Sequence, residues 1–145
     1  MSAALSYGQR HALNELVAIF EGQWANGLLP HVRYVPHQSG YRPDPTDWGI
    51  SRTATGLAVM ETSGITQPPI MGTCAEMVFQ RLPDPQAYLA EWLAIADGLE
   101  RFHHFLLTER DPTGEGLVVC LHPWETGTDN SPAFEPLLQA TRAYL

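Results

Sequence analysis

The amino-acid sequence predicts an all-α domain whose helices are joined by long loops. Apolar residues recur at helical spacing in residues 4–24 and again in residues 85–109. Residues 27–69 lie between these two segments and are rich in proline, which excludes a long helix there. A chain of 145 residues is long enough for one domain with a hydrophobic core, so we predict a single domain over residues 1–145.

The first predicted helix covers residues 4–24, and Asn26-Gly27 follows it as a stop signal. Its inner stripe is made of apolar side chains three or four residues apart: Leu13, Val17, Phe20 and Trp24. Short β-like pieces are expected near residues 32–35 and 57–60 of the loop that follows. Loops of this length in a compact domain are commonly functional, so residues 27–69 are a candidate site region.

Three further helices are predicted in the second half of the chain. Residues 70–81 form a short helix that ends before Pro83. Asp84 is the expected N-cap of a helix over residues 85–109, which is apolar nearly all round and therefore expects neighbours on two sides. Ser131 is the expected cap of the last helix, residues 132–144.

Composition excludes several classes of function. The net charge is −8 and every cationic residue is an arginine, which argues against binding to nucleic acid or to an anionic membrane. Cys74 and Cys120 lie outside any zinc-binding pattern, so we interpret them as two buried free thiols and predict neither metal nor cofactor. His31 and His37 lie in the proline-rich loop, where exposure to solvent is expected. The N-terminus has no apolar leader and no run reaches membrane-spanning length, so a cytoplasmic location is expected.

The stretch HPWETGTDNSP, residues 122–132, is a polar loop between an apolar run and a helix start. Its prolines and its glycine keep it out of regular structure. Glu125 could contact a ligand or brace the loop, and both interpretations stay open. Asp129 could be part of ordinary helix capping or could be a catalytic acid.

Four segments together resemble the α/α-barrel glycoside hydrolases: QWANGLLPH at 23–31, SGITQPPI at 63–70, ERDPTGEGLV at 109–118 and HPWETGTDNSP. The nearest group is the family 63-like one that includes mannosylglycerate and glucosylglycerate hydrolases, and the α/α-barrel trehalases are more distant. The resemblance extends from Leu13 to Leu138. It implies a toroid of six helical hairpins with a sugar site on the loops at one end. The chain is then an internal slice, a partial (α/α) toroid of about two hairpins.

The resemblance also implies roles for single residues. Asp129 occupies the position of the general acid, and Gln67 that of a substrate-binding residue. Tyr41 and Trp48 are the nearest candidates for the family's aromatic substrate contacts. Trp124, which can stack on a sugar because it lies in a loop, and Glu125, in its interpretation as a ligand contact, complete the expected substrate-binding set. A catalytic acid must hold its proton at neutral pH. The dipole of the following helix opposes this, whereas burial against Trp124 and repulsion from Glu125 favour it.

No general base for such an acid is evident. In the family the base is a glutamate far downstream. The only carboxylate here after Asp129 is Glu135, near the first turn of the predicted helix that directly follows Asp129. An inverting pair needs carboxyl groups roughly 6.5–9.5 Å apart on opposite sides of the bond. If a base is present nevertheless, Asp44, Asp47 and Glu61 are the first candidates.

Two hypotheses follow. The first is a glycoside hydrolase slice that binds a small glycoside, carries the acid half of the site and is inactive alone. The second is a non-catalytic sugar-binding or protein-interaction module. In either case the flanks of the outer helices would expose apolar surface, which predicts a homo-oligomer, a dimer first.

Overall fold

The computed structural model describes residues 7–34, 43–45, 47–48, 62–129, 131–136 and 139. Over these residues the α-helices are α1 (Tyr7–Glu21), α2 (Met71–Phe79) and α3 (Leu89–Glu109). Short 3-10 turns cover Pro85–Tyr88, Pro123–Thr126 and Pro132–Phe134. Within the described ranges β-structure is limited to two isolated antiparallel bridges, Pro30 with Thr66 and Arg33 with Thr62. The all-α prediction is confirmed.

The prediction that the first helix reaches Trp24 is wrong, because α1 ends at Glu21. The chain then turns back on itself: the N–H of Trp24 donates to the carbonyl of Leu28, and the N–H of Gly27 donates to the carbonyl of Trp24. Trp24 is still buried, but a turn places it in the core rather than a helical stripe. The predicted β-like piece near residues 32–35 corresponds to the bridge at Arg33. Residues 4–6 and 57–60 lie outside the described residues.

The other helix predictions agree more closely with the structure. α2 ends two residues before the predicted boundary, and α3 ends at Glu109 as predicted. Asp84 precedes the 3-10 turn that leads into α3, but its side chain makes no capping hydrogen bond, so its prediction as N-cap is wrong in that detail. Ser131 does cap the turn that follows it, since its Oγ accepts a hydrogen bond from the N–H of Ala133. Most of the last predicted helix lies outside the described residues.

The three helices pack around one hydrophobic core. Its buried members are Leu13, Leu16, Phe20, Trp24, Leu28, Leu29, Met71, Ala75, Ile95, Phe102, Phe105 and Leu106. α1 approaches α3 closely at Gly98, where an added Cβ would lie only 2.5 Å from Cδ1 of Phe20. The glycine in the middle of α3 is therefore required by the packing of the Phe20 ring.

A buried corner after α1 fixes the start of the long loop. The side-chain amide of Gln23 donates to the carbonyls of Gly27 and Gly98, at 3.0 and 2.8 Å. The indole N–H of Trp24 donates to Thr62 Oγ1 across 2.8 Å. Gly27 has a φ of 94° and lies against the backbone of Arg101, a position that no residue with a Cβ fits. These contacts assign a structural role to the Gln-Trp-x-x-Gly pattern.

Residues 117–121 leave several apolar side chains in solvent. Leu117 is 67% exposed and Leu121 is 65% exposed, and Val118 and Val119 are also exposed. Cys120 lies in this segment and is exposed, and Cys74 is only partly covered, so the prediction of two buried thiols is wrong. None of the described helices is both long and apolar enough to cross a membrane.

Candidate functional site

The loop after α1 and the loop after α3 are in direct contact. The N–H of Thr66 donates to Oε1 of Glu125 across 3.0 Å. The rings of His31 and Trp124 lie 5.8 Å apart between centroids. Gly127 has a φ of 69° and faces Pro68, because a Cβ built on it would lie 3.5 Å from Cγ of that proline. Residues 62–68 and 122–129 are therefore in direct contact and form one junction between the two loops.

Four rings cluster at this junction. Trp48 lies edge-on to His122 at 5.6 Å and to Trp124 at 6.0 Å between ring centroids. His122 lies edge-on to Trp124 at 5.1 Å, and His31 packs on the same tryptophan. Each ring is only partly covered. The cluster thus presents aromatic edges and faces at the surface, and it includes both loop tryptophans that the sequence singled out.

The position of Trp48 is fixed by hydrogen bonds within its own loop. Its indole N–H donates to the hydroxyl of Tyr34 across 2.8 Å. Asp44 and Asp47 exchange hydrogen bonds, since each carboxylate accepts from the backbone N–H of the other residue. The side chains of both candidate bases therefore stabilise the turn directly before Trp48. Tyr41 and Glu61 lie outside the described residues.

Gln67 is anchored on both backbone and side chain. Its N–H donates to the carbonyl of Leu29, and its Nε2 donates to the carbonyl of His31 across 3.0 Å. Among the described residues no donor reaches its Oε1. Cavities of about 190 and 200 Å³ border it, one toward α1 and one toward residues 118–120. The amide is held rigidly while its oxygen remains available.

Glu125 is the most heavily hydrogen-bonded side chain at the junction. Arg110 binds its two carboxylate oxygens in bidentate fashion at 2.9 and 3.1 Å, and the N–H groups of Thr66, Leu121 and His122 donate to the same carboxylate. Arg110 and Glu125 side chains are 7% and 3% exposed. Of the two interpretations left open by the sequence, these contacts fit the loop brace.

The environment of Glu125 favours its ionised form. Burial alone would raise the pKa of this carboxyl. The hydrogen bonds from Arg110 and from the N–H groups of Thr66 and Leu121, together with the charge of Arg110, outweigh burial and hold the pKa below its usual range. The brace is therefore an ion pair at neutral pH.

His122 is held in a defined tautomer. Its Nδ1 accepts a hydrogen bond from the N–H of Trp124 at 3.3 Å, which leaves the proton on Nε2. Burial lowers the pKa of His122, and the charge of His31 acts in the same direction. The negative charges of Glu125 and Asp129 oppose this and only partly offset it. At neutral pH the ring is uncharged.

Asp129 stands at the open end of the loop. The carbonyl of Thr128 accepts a hydrogen bond from the N–H of Ser131 at 2.9 Å, which turns the chain around Asp129. The carboxylate is exposed and makes no hydrogen bond within the described part of the chain. Ser131 caps the next turn, so Asp129 is not the capping residue. The expected burial of Asp129 against Trp124 is absent, because the Asp129 side chain is exposed.

Two contributors to the site were not predicted from the sequence. His31 is partly covered, with its Nδ1 buried and unpartnered among the described residues, so the expectation of a solvent-exposed ring is wrong. The only signal for His31 was its place directly after the Gly27–Pro30 corner. There its backbone N–H donates to the carbonyl of Ile65. Arg110 was missed because its partner is fifteen residues away. Among the described residues no group of three or more His, Cys, Asp or Glu side chains could hold a metal ion.

Comparison with known proteins gives a consistent set of relatives. Residues 3–143 match the family model described as "Mannosylglycerate hydrolase MGH1-like glycoside hydrolase domain". The mannosylglycerate hydrolase of Thermus thermophilus is 38% identical over 125 residues, covering 86% of this chain and 29% of its own length. That of Rubrobacter radiotolerans is 34% identical, covering 95% of this chain and 31% of its own. The glucosylglycerate hydrolase of Mycolicibacterium hassiacum is 32% identical, covering 86% and 29%.

Solved structures agree with this assignment. The crystal structure of a GH63 mannosylglycerate hydrolase from Thermus thermophilus, in complex with Tris and D-glycerate, matches with a TM-score of 0.77 and 36% identity. The match covers 92% of this chain and 30% of that one. A complex of the same enzyme with glucose matches with a TM-score of 0.69, 37% identity and coverage of 92% and 32%. The chain spans less than a third of the length of each of these relatives.

Proposed function

Because the chain belongs to the MGH1-like glycoside hydrolase family, we propose that it carries the acid-bearing half of a site for a small glucosyl or mannosyl substrate. The observation that carries the proposal is the junction of residues 62–68 with residues 122–129. This junction gathers Gln67, Trp48 and Trp124, three of the residues that the sequence suggested for substrate binding. Glucosylglycerate and mannosylglycerate are the substrates named for the relatives.

Each residue has a physical task in this proposal. Trp48 and Trp124 offer aromatic faces to the C–H groups of a pyranose, and Gln67 offers an amide oxygen to a hydroxyl. Tyr41 remains a proposed contact on family resemblance alone. Glu125, predicted to bind substrate, shapes the loop instead in this account.

Asp129 is the proposed general acid. Glycosidic cleavage requires a protonated carboxyl beside the leaving oxygen. The carboxylate of Asp129 is exposed in this chain, so a sugar or another protein segment would have to cover it to complete the acid side of such a site. Asp44 and Asp47 are hydrogen-bonded to each other's backbone, which disfavours both as the missing base. We therefore propose that the 145-residue polypeptide, assayed alone, binds sugar but hydrolyses it weakly or not at all.

A binding assay beside a hydrolysis assay tests the proposal. Tryptophan fluorescence and calorimetry would follow titration with glucose, D-glycerate, glucosylglycerate and mannosylglycerate. Trp124→Leu should abolish binding, whereas Trp92→Phe, which alters a tryptophan packed on Phe79 away from the junction, should leave it unchanged. Absence of binding to all four ligands would overturn the sugar site. Robust turnover that is lost in Asp129→Asn would overturn the claim of an incomplete centre.

The second candidate is a non-catalytic module for sugar binding or protein interaction. The exposed apolar segment 117–121 next to the junction favours this candidate, since contiguous exposed apolar patches commonly mark interaction surfaces. The two candidates differ in the role of Asp129. Asp129→Asn should leave sugar affinity unchanged in a non-catalytic module, and hydrolysis should remain undetectable under every condition, including the addition of other family members.

A further inference from the structure

The carboxylate of Glu125 joins three separate parts of the chain. Its Oε1 accepts from the N–H of Thr66 at 3.0 Å and from Arg110 at 2.9 Å. Its Oε2 accepts from Arg110 at 3.1 Å, from the N–H of Leu121 at 2.7 Å and from that of His122 at 3.3 Å. The connected parts are the end of α3, the loop that carries Asp129 and the segment that carries Gln67.

An ionised carboxylate suits this junction better than a neutral group. The two oxygens offer about four lone-pair directions, and the five hydrogen bonds, two from Arg110 and three from backbone N–H groups, use all of them. The planar guanidinium of Arg110 occupies one edge of the carboxylate, which leaves the remaining directions for backbone N–H groups. Arg110 is itself fixed, since its guanidinium lies 5.5 Å from the centre of the Phe105 ring. The pair is nearly inaccessible to solvent, so its geometry does not depend on flexible surface side chains.

The partners of Glu125 are adjacent to the residues of the proposed site. Thr66 precedes Gln67 by one position, and Glu125 precedes Asp129 by four. The intervening Gly127 lies against Pro68. A change in the distance between Thr66 and Glu125 would therefore move Gln67 relative to Asp129.

We propose that Glu125, held by Arg110, is the positioning residue that fixes the Gln67 segment relative to the Asp129 loop. The site function of this couple rests on the proposed sugar site. The claim that one buried carboxylate holds the two loops together does not depend on sugar binding. Glu125 acts through Gln67 and Asp129 and needs no contact with the ligand.

The test compares two substitutions that change charge equally. Glu125→Gln removes the buried negative charge and places an amide N–H₂ or a weaker acceptor against Arg110. Asp97→Asn is the matched control, because Asp97 pairs with Arg101 in an exposed ion pair on α3. Amide exchange at Thr66 and Leu121 reports the loop junction, and glucose titration reports the site. Glu125→Gln should lose protection at both amides and bind glucose about tenfold or more weakly, while Asp97→Asn should match the wild type in both.

A coupling measurement separates positioning from general stability. It is made well below the unfolding temperature, where all variants are helical by circular dichroism. If Glu125 acts by placing Gln67, Gln67→Ala combined with Glu125→Gln should bind little more weakly than Gln67→Ala alone. If Glu125 only stabilises the fold, the folded Glu125→Gln variant should bind glucose as tightly as the wild type. That result, or simple addition of the two losses, would overturn the proposal. Unchanged amide protection in a folded Glu125→Gln would overturn it as well.

Two outcomes need separate treatment. If Glu125→Gln does not fold, Arg110→Lys keeps the charge but loses the bidentate geometry, and it should show intermediate protection at Thr66; wild-type protection there would overturn the proposal. If the wild type binds none of the sugars, the proposed function fails. Amide exchange at Thr66 and Leu121 then still decides whether Glu125 holds the two loops together.

Discussion

The indole N–H of Trp24 donates a 2.8 Å hydrogen bond to the hydroxyl of Thr62, and both side chains are buried. This contact joins the turn after α1 to the segment that leads to the polar junction. Ser63 reinforces it, since its Oγ accepts from the N–H of Val32 and its N–H donates to the carbonyl of the same residue. The position of the junction therefore depends on the core and not only on the loops.

The first prediction concerns the Trp24–Thr62 pair. Thr62→Val should lower the free energy of unfolding by about 1–3 kcal/mol, because it leaves the buried indole N–H without an acceptor. Trp24→Phe should cost at least as much, since it removes ring volume as well as the donor. The double variant should be less destabilised than the sum, and urea unfolding of all four proteins measures the coupling. Strict additivity would contradict a hydrogen bond of energetic importance.

The second prediction concerns the contact between α1 and α3. Alanine is normally about 1 kcal/mol better than glycine in a helix. Gly98→Ala should nevertheless destabilise the protein, because the new Cβ would meet the Phe20 ring at 2.5 Å. Gly72→Ala in α2 is the control, since nothing lies within 4 Å of its Cβ, and it should be neutral or stabilising. Thermal unfolding distinguishes the two, and a more stable Gly98→Ala would show that the helices separate easily.

The third prediction is a loss of stability in acid in two stages. The pKa of His122 is lowered by burial from an ordinary value of 6.5, so the unfolded chain binds more protons than the folded one just below that pH. Stability should therefore fall as the pH drops through about 6.5. The pKa of Glu125 is lowered from an ordinary 4.5, since the bonds from Arg110 and from backbone N–H groups outweigh burial, and a second loss should follow below that pH.

Substitutions assign the two stages. Urea unfolding from neutral pH down to about pH 3, below the ordinary pKa of a glutamate, should show no first stage in His122→Asn and no second stage in Glu125→Gln. His104→Gln, on the exposed face of α3, should keep both. Persistence of the first stage in His122→Asn would mean that another group titrates there.

The fourth prediction is self-association, with a dimer as the simplest form. Leu93 on α3 and Leu117 and Leu121 after it are each more than half exposed. Burial of apolar surface contributes roughly 25 cal/mol per Å² before the cost of association, and twofold dimers are the commonest oligomers. Sedimentation at micromolar concentration should give a mass above 16.1 kDa. Leu121→Ser and Leu93→Ser should show which surface is involved, and a wild-type monomer would contradict the prediction.

The helices were predictable because their signal is local. The apolar stripe of residues 85–109, with Pro85 at its first position, predicts a helix there, and the structure has α3 preceded by a 3-10 turn over Pro85–Tyr88. The end of α1 was not predictable from spacing, since Trp24 continues the stripe of Phe20. A turn and a helix bury that side chain equally well, and only the hydrogen bonds across Gly27 decide between them.

The site was predictable in its members more than in their arrangement. Two loops rich in polar and aromatic residues indicated that Trp48 and Trp124 belong together, and their rings do meet. The role of Glu125 was left open, because a local motif does not reveal which distant groups will surround a carboxylate. The decisive partners, Thr66 and Arg110, lie 59 and 15 residues away.

The bridge between Arg33 and Thr62 brings the two ends of a long chain segment together. In polymer terms the fold has already incurred the entropy of closing that loop, and the cost grows only with the logarithm of loop length. Doubling the number of residues between the two ends would add about 0.6 kcal/mol. By this scaling, an insertion between Arg33 and Thr62 that keeps the contacts of Trp48 should change the free energy of folding little, so the bridge tolerates a change in the length of the chain that it closes.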